Sequence, residues 1–251
     1  MICTRIVQGR WIAPVAAALA ALLGAGISYG STIDTTPSGL APGTHYQLVF
    51  VTSDGFFATS SSISDYNADV TAEAASDSQL ATFDTANGVT WTVIGSTDTV
   101  NADTNAPSTG LVYTLDGTKV ASSSSSLYSG SLLAPIDINE NGAVEAGDDV
   151  WTGSTSSGTY AGGINGLGQT FPEYGSSSST TAAWITGSNG IESDNYIPLY
   201  ALSSVITVPY PSAVPEPATD ALLPTAMLLL FGIFRLRRNR PGVDRLPTTN
   251  N

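Results

Sequence analysis

Over residues 31–208 the chain carries a single cation, Lys119, against eighteen of its 21 acidic residues. That interior therefore stands near −17, more negative than the −13 of the whole chain. Ion pairs cannot hold such a fold, because eighteen carboxylates share one partner. Disulfides cannot either, since the only cysteine is Cys3. What remains is burial of apolar surface, for which a hydrophobic content of 42% is sufficient. The same arithmetic excludes function classes. Phosphate backbones demand clustered Lys and Arg, so nucleic acid is not a partner. One histidine and one cysteine supply neither a multi-histidine zinc centre nor a thiolate cage. A chain of 251 residues usually holds one domain, sometimes two.

The missing cations are at the ends. Arg5 and Arg10 precede an apolar run over 12–27, and Ser28-Tyr29-Gly30 then offers small residues to a signal peptidase. Residues 1–30 read as a secretory signal. At the other end, Val214, Pro215, Glu216 and Pro217 lie in a Pro-rich spacer over 209–220. The spacer leads into 14 apolar residues over 221–234, followed at once by Arg235, Arg237, Arg238 and Arg240 in a basic tail over 235–251. An apolar run of that length is short against the ~20 residues that span hydrocarbon. A core helix, however, does not normally end in four closely spaced arginines. Basic residues resist translocation and stay at an anionic inner leaflet, which makes the run a membrane anchor. Proline fixes φ and biases the preceding residue away from helix, so Pro-Glu-Pro presents extended backbone to a peptidase.

This ordered tail, with its N-terminal companion, resembles the PEP-CTERM sorting signal of Gram-negative bacteria. The resemblance implies processing by an exosortase near Pro215–Pro217. It further implies a transient stay at the inner membrane, then a place at the cell surface or outside the cell beside exopolysaccharide.

The interior, 31–208, reads as one α+β domain. Residues 44–52 have strand character, with Tyr46, Leu48 and Phe50 alternating with Val49 and Val51. Over 62–83 the period changes, and Ile63, Tyr66, Val70 and Ala74 recur at helical spacing, with Ser62 as N-cap and Asp65 in the first turn. Strand chemistry returns over 88–96. Residues 111–120 form a hairpin about Asp116-Gly117. Further strands are expected at 136–138, 150–152, 183–186 and 199–208. The runs 122–126 and 176–181, together with the Gly-rich 158–168, are solvated loops.

Val112-Tyr113-Thr114-Leu115-Asp116-Gly117, residues 127–133, Val150-Trp151-Thr152-Gly153-Ser154 and Ala183-Trp184-Ile185 come in an order similar to C-type-lectin-like domains of the endostatin type. The match implies the fold alone. The interior has no cysteine and neither the Glu-Pro-Asn nor the Trp-Asn-Asp motif of sugar-binding lectins.

One segment has metal-ligand spacing. Asp137, Asn139, Asn141, Gly142, Glu145 and Asp148 fall at positions 1, 3, 5, 6, 9 and 12 of a calcium loop. The other reading is a strand through Ile136 and Ile138 that enters an Asn-Gly turn. Catalysis has less support. His45 has no Gly-x-Ser-x-Gly elbow to serve, and no phosphate-cradling loop ends in lysine. The sequence points to an exported, non-enzymatic structural or binding protein that contacts polysaccharide through Trp151, Tyr160, Tyr174 and Trp184. The competing class is a secreted carbohydrate-active hydrolase with paired carboxylates.

Overall fold

Strand β1 (His45–Val51) is apolar on both faces, and every residue after His45 is buried. A strand covered on both sides belongs in the middle of a sheet, and β1 lies there. The computed structural model describes residues 33–124, 126–187 and 190–211. The expected signal, sorting motif, anchor and basic tail lie outside the described residues. Among the described residues no helix is long and apolar enough to cross a membrane. The chain divides into two compact units after Pro209, and the described strands and helices belong to the first.

The fold is mixed α+β. Helices α1 (Ile63–Ser76) and α2 (Ser78–Asn87) follow β1, then β2 (Trp91–Val93) and the short α3 (Ala102–Asn105). Strands β3 (Leu111–Thr114) and β4 (Lys119–Ala121) form the expected hairpin. Strands β5 (Asp149–Trp151) and β6 (Tyr174–Ser176) make a small separate sheet. Strands β7 (Tyr200–Ser203) and β8 (Ile206–Thr207) return to the main sheet, whose order is β2-β7-β1-β3-β4, with β8 also on β1. The β1–β3 pairing is parallel, and β1–β7 and β1–β8 are antiparallel. Where β7 gives way to β8, the Ser203 hydroxyl accepts the Leu48 N–H at 2.8 Å and keeps the ladder satisfied.

The single helix expected over 62–83 is two. Asp77 breaks it, because its carboxylate accepts the N–H groups of Gln79 and Leu80 at 2.9 and 2.8 Å and starts α2 as an N-cap. Ser62 stands at the N-cap of α1 without capping it, and its hydroxyl pairs with that of Ser64. The strand expected at 183–186 is a 3-10 turn, Ala182–Trp184, started by the Thr181 hydroxyl. Of 136–138 only Ile138 pairs, in an isolated bridge to Val144.

Alternate residues of the strands feed two cores. Tyr46, Leu48, Phe50, Trp91 and Ala201 pack with Tyr66, Val70 and Ala74 of α1 and with Leu80 of α2. Val49, Val51, Val112, Tyr200 and Leu202 pack beneath loops that supply Leu127, Leu132, Ile136, Trp184 and Ile185. Both sheet edges are managed. Asn67 of α1 accepts the Val93 N–H at 2.8 Å and blunts the β2 edge. The other edge strand, β4, carries Lys119, whose ammonium lies 5.6 Å above the Tyr113 ring.

Candidate functional site

The segment 137–148 closes on itself. The Asn139 N–H bonds the Ala143 carbonyl at 2.9 Å, and Glu145 N–H bonds the Asp137 carbonyl at 2.6 Å. Asn139 Oδ1 accepts the N–H groups of Asn141 and Ala143, while its Nδ2 donates to Glu145 Oε1 at 2.8 Å. Gly142 takes the positive φ of a tight turn, +75°. Oxygens at positions 3, 7 and 9 of the calcium pattern are thus already used inside the loop. The acids also divide. Glu145 meets Asp148 and is raised by burial first, whereas Asp137 is raised by burial and by Asp116. Among the described residues no three Asp, Glu, His or Cys side chains could hold a metal ion together. The donor set suits an Asn-Gly turn and does not suit a wrapped cation.

The residue that anchors this turn is one that the spacing argument omits. Glu140 is fully buried, and its carboxylate accepts the Ser53 N–H at 2.9 Å, the Ser53 hydroxyl, and Asn141 Nδ2 at 2.6 Å. Three donors satisfy the oxygens of this buried carboxyl group without a cation. Across from it, Glu73 of α1 is pushed up to about 7, by burial first and then by the nearby charges of Glu140 and Asp54. Two carboxyls in different environments thus come within Coulombic reach of each other, one strongly hydrogen-bonded and one with its affinity for a proton raised.

The aromatics divide differently from the sequence expectation. Trp151 and Trp184 are fully buried core residues, and Tyr160 and Tyr174 are half-buried. Trp151 Nε1 donates to the Phe56 carbonyl at 2.9 Å, so it fastens the neighbouring segment instead of facing solvent. That segment presents the exposed rings. Phe56 and Ile197 form an antiparallel bridge and pack against the helix-side core. Their neighbours Phe57 and Tyr196 point the other way, 53% and 61% exposed, with ring centroids 5.3 Å apart. Gly55 makes the arrangement fit, because a Cβ there would lie 2.7 Å from Tyr196 Cδ1 and 2.9 Å from its backbone. The signal for this pair was present in Gly55-Phe56-Phe57, where one of two adjacent aromatics in an extended segment must face outward.

A hollow of about 300 Å³ lies at the opposite end of the β1–β7 ladder from Val51, lined by Gln47, Thr92, Asn105, Thr109 and Ser203 among others, with no titratable side chain. Gln47 is locked there, with its amide donating to the Ser203 carbonyl and its oxygen accepting the Thr109 N–H, both at 2.8 Å. His45 is a strand-end residue, its Nδ1 at 3.0 Å from the Thr207 hydroxyl.

No protein-family model matches the chain, and no curated protein matches it.

Proposed function

We propose that this is an exported protein, handled by signal peptidase and then an exosortase, that ends at the surface of a Gram-negative bacterium or in its exopolysaccharide matrix. There its acidic domain acts as a structural or binding module without catalysis. The observation that carries this reading is the ordered tail: Val214-Pro215-Glu216-Pro217, the apolar run 221–234, then Arg235, Arg237, Arg238 and Arg240. The domain is consistent with it as a self-standing module, because two apolar cores of strands, helices and loops hold it together.

We further propose that the domain is C-type-lectin-like. Early and late strands paired at the centre, consecutive helices on one face and a small second sheet among long loops support that reading.

The test is processing in the native host. Mass spectrometry of the secreted or surface fraction is expected to show loss of the tail near Pro215–Pro217. Glu216→Ala or deletion of 235–240 should leave the precursor at the membrane. Unchanged processing in a host lacking exosortase activity would end the proposal.

One observation favours the hydrolase reading, namely the contrast between Glu73, whose proton affinity is raised by burial and by neighbouring acids, and buried, hydrogen-bonded Glu140. Release of reducing sugar from the host polysaccharide, abolished by Glu73→Gln, would establish it.

A further inference from the structure

We propose that Phe57 and Tyr196 form a stacking platform for the pyranose rings of an uncharged polysaccharide. The proposal rests on the matrix-binding reading and names the site and ligand class for it.

The platform is built and not incidental. Phe57 and Tyr196 flank the Phe56–Ile197 bridge on the outward side. The N–H of Phe56 reaches the Ile197 carbonyl at 2.8 Å, and that of Ala58 reaches the Ser193 carbonyl at 2.9 Å. Ring orientation is therefore set by backbone pairing on both sides and by the space that Gly55 leaves for Tyr196. The rings are tilted at 60° with centroids 5.3 Å apart, and both side chains are more than half exposed, so the pair offers joined aromatic surface to solvent. Aromatic faces are electron-rich and attract the polarised C–H groups of a sugar face, as they attract cations and ring edges.

Three occupants compete for two exposed rings, and magnitudes decide among them. Fully covered Phe and Tyr bury ~150–250 Å² each, so half-exposed rings offer roughly 200 Å² together. A stable dimer needs about 800 Å² from each partner, which excludes a second copy as the main occupant. Two domains near −17 also repel each other at separations inside a Debye length of about 8 Å. An anionic membrane surface is repelled for the same reason. A glycan remains, and the charge narrows its class. Asp54, Glu192 and Asp194 lie on the same two segments as the rings and are exposed. They can accept sugar hydroxyls, and they disfavour uronates and sulfated chains.

The full chain, purified in detergent, should be titrated calorimetrically with cellohexaose, with N-acetylated chitohexaose and with polygalacturonate. Binding of at least one uncharged oligosaccharide is expected, with none to polygalacturonate. The double substitution Phe57→Leu/Tyr196→Leu keeps apolar bulk and removes both ring faces, and it should weaken binding roughly tenfold or more. Phe57→Tyr/Tyr196→Phe keeps both rings and should bind like the parent, so a folding defect and a stacking defect are told apart. Failure of both uncharged probes to bind, stronger binding of polygalacturonate, or full affinity in the leucine variant would each overturn the proposal. None of these outcomes bears on tail processing, so sorting and glycan recognition fail separately.

Discussion

The two faces of the central sheet are covered by different means, and their buried polar atoms show it. On the helix-covered face the polar atoms of Tyr46, Tyr66 and Trp91 have partners. Tyr46 donates to the Thr35 carbonyl at 2.6 Å, Tyr66 to the Ser60 carbonyl at 2.7 Å, and Trp91 Nε1 to Asp84 at 2.7 Å. On the loop-covered face Trp184 Nε1 and Tyr200 Oη are buried and have no hydrogen-bond partner among the described residues, although the two rings lie 5.7 Å apart. Tyr128, next in that row, does bond the Ala102 and Ala106 carbonyls. Helices occupy a face at regular spacing and leave loop carbonyls free to receive side chains. Loops that must fill the same depth consume their own polar groups in turns.

The largest effects should come from the two tryptophans. Trp151→Ala and Trp184→Ala are each expected to cost about 3–5 kcal/mol in urea denaturation. Replacement by Phe separates them. Trp151→Phe also loses the bond to the Phe56 carbonyl and should cost about 1 kcal/mol more than Trp184→Phe. Equal losses would mean that the two faces do not differ in polar satisfaction.

Next comes Gly175→Ala on β6, where a Cβ would lie within van der Waals overlap of the Trp184 carbonyl. About 1–3 kcal/mol of destabilisation is expected by thermal melting, with Trp184 fluorescence shifted as the loop is pushed off. A neutral result would show that the loop cover yields freely.

Tyr66→Phe and Tyr200→Phe sharpen the contrast with a single oxygen. The first loses a made hydrogen bond and should cost about 1 kcal/mol. The second removes a buried hydroxyl without a partner and should be neutral or stabilising.

The smallest effect tests the acidic corner by pH. Burial, with Glu140 and Asp54, raises Glu73 from 4.5 to about 7 in the folded state. The fold thus binds that proton more tightly than the unfolded chain does. The associated stability is present below about pH 4.5 and is lost as pH rises through about 7. Glu73→Gln keeps it at pH 8, so melts of the variant should be flatter between those values and slightly higher at the alkaline end. The gain is about a fraction of a kcal/mol, because the side chain is only partly buried and solvent screens it.

Legibility in the sequence followed the same division. Strand β1, the helical period of Tyr66, Val70 and Ala74, and the Asp116-Gly117 hairpin each repeat a local pattern and appeared within a residue or two. The helix break at Asp77 was readable in principle, since a capping acid stood inside the run. The 3-10 turn at Ala182–Trp184 was not, because three apolar residues carry no period and Thr181 decides the outcome by a hydroxyl bond. At the site, the spacing pointed to a calcium loop, while the alternative Asn-Gly turn is what the backbone forms, with Glu145 bonded to Asn139 inside it. The spacing missed Glu140, whose partner Ser53 lies 87 residues earlier. Exposed aromatics were likewise misassigned, because the burial of Trp151 and Trp184 depends on long-range packing, and Phe57 was passed over.

The central position of β1 also has a kinetic meaning. Its antiparallel neighbour β7 begins at Tyr200, so Val51 waits for a partner about 150 residues later in the chain. Closing so long a loop is slow, and pairings of this kind form late. A chain fed through a narrow pore from its N-terminus would carry β1 across long before the sheet could close. The domain would stay threadable until Tyr200–Ser203 had emerged, and only then become too wide to slip back.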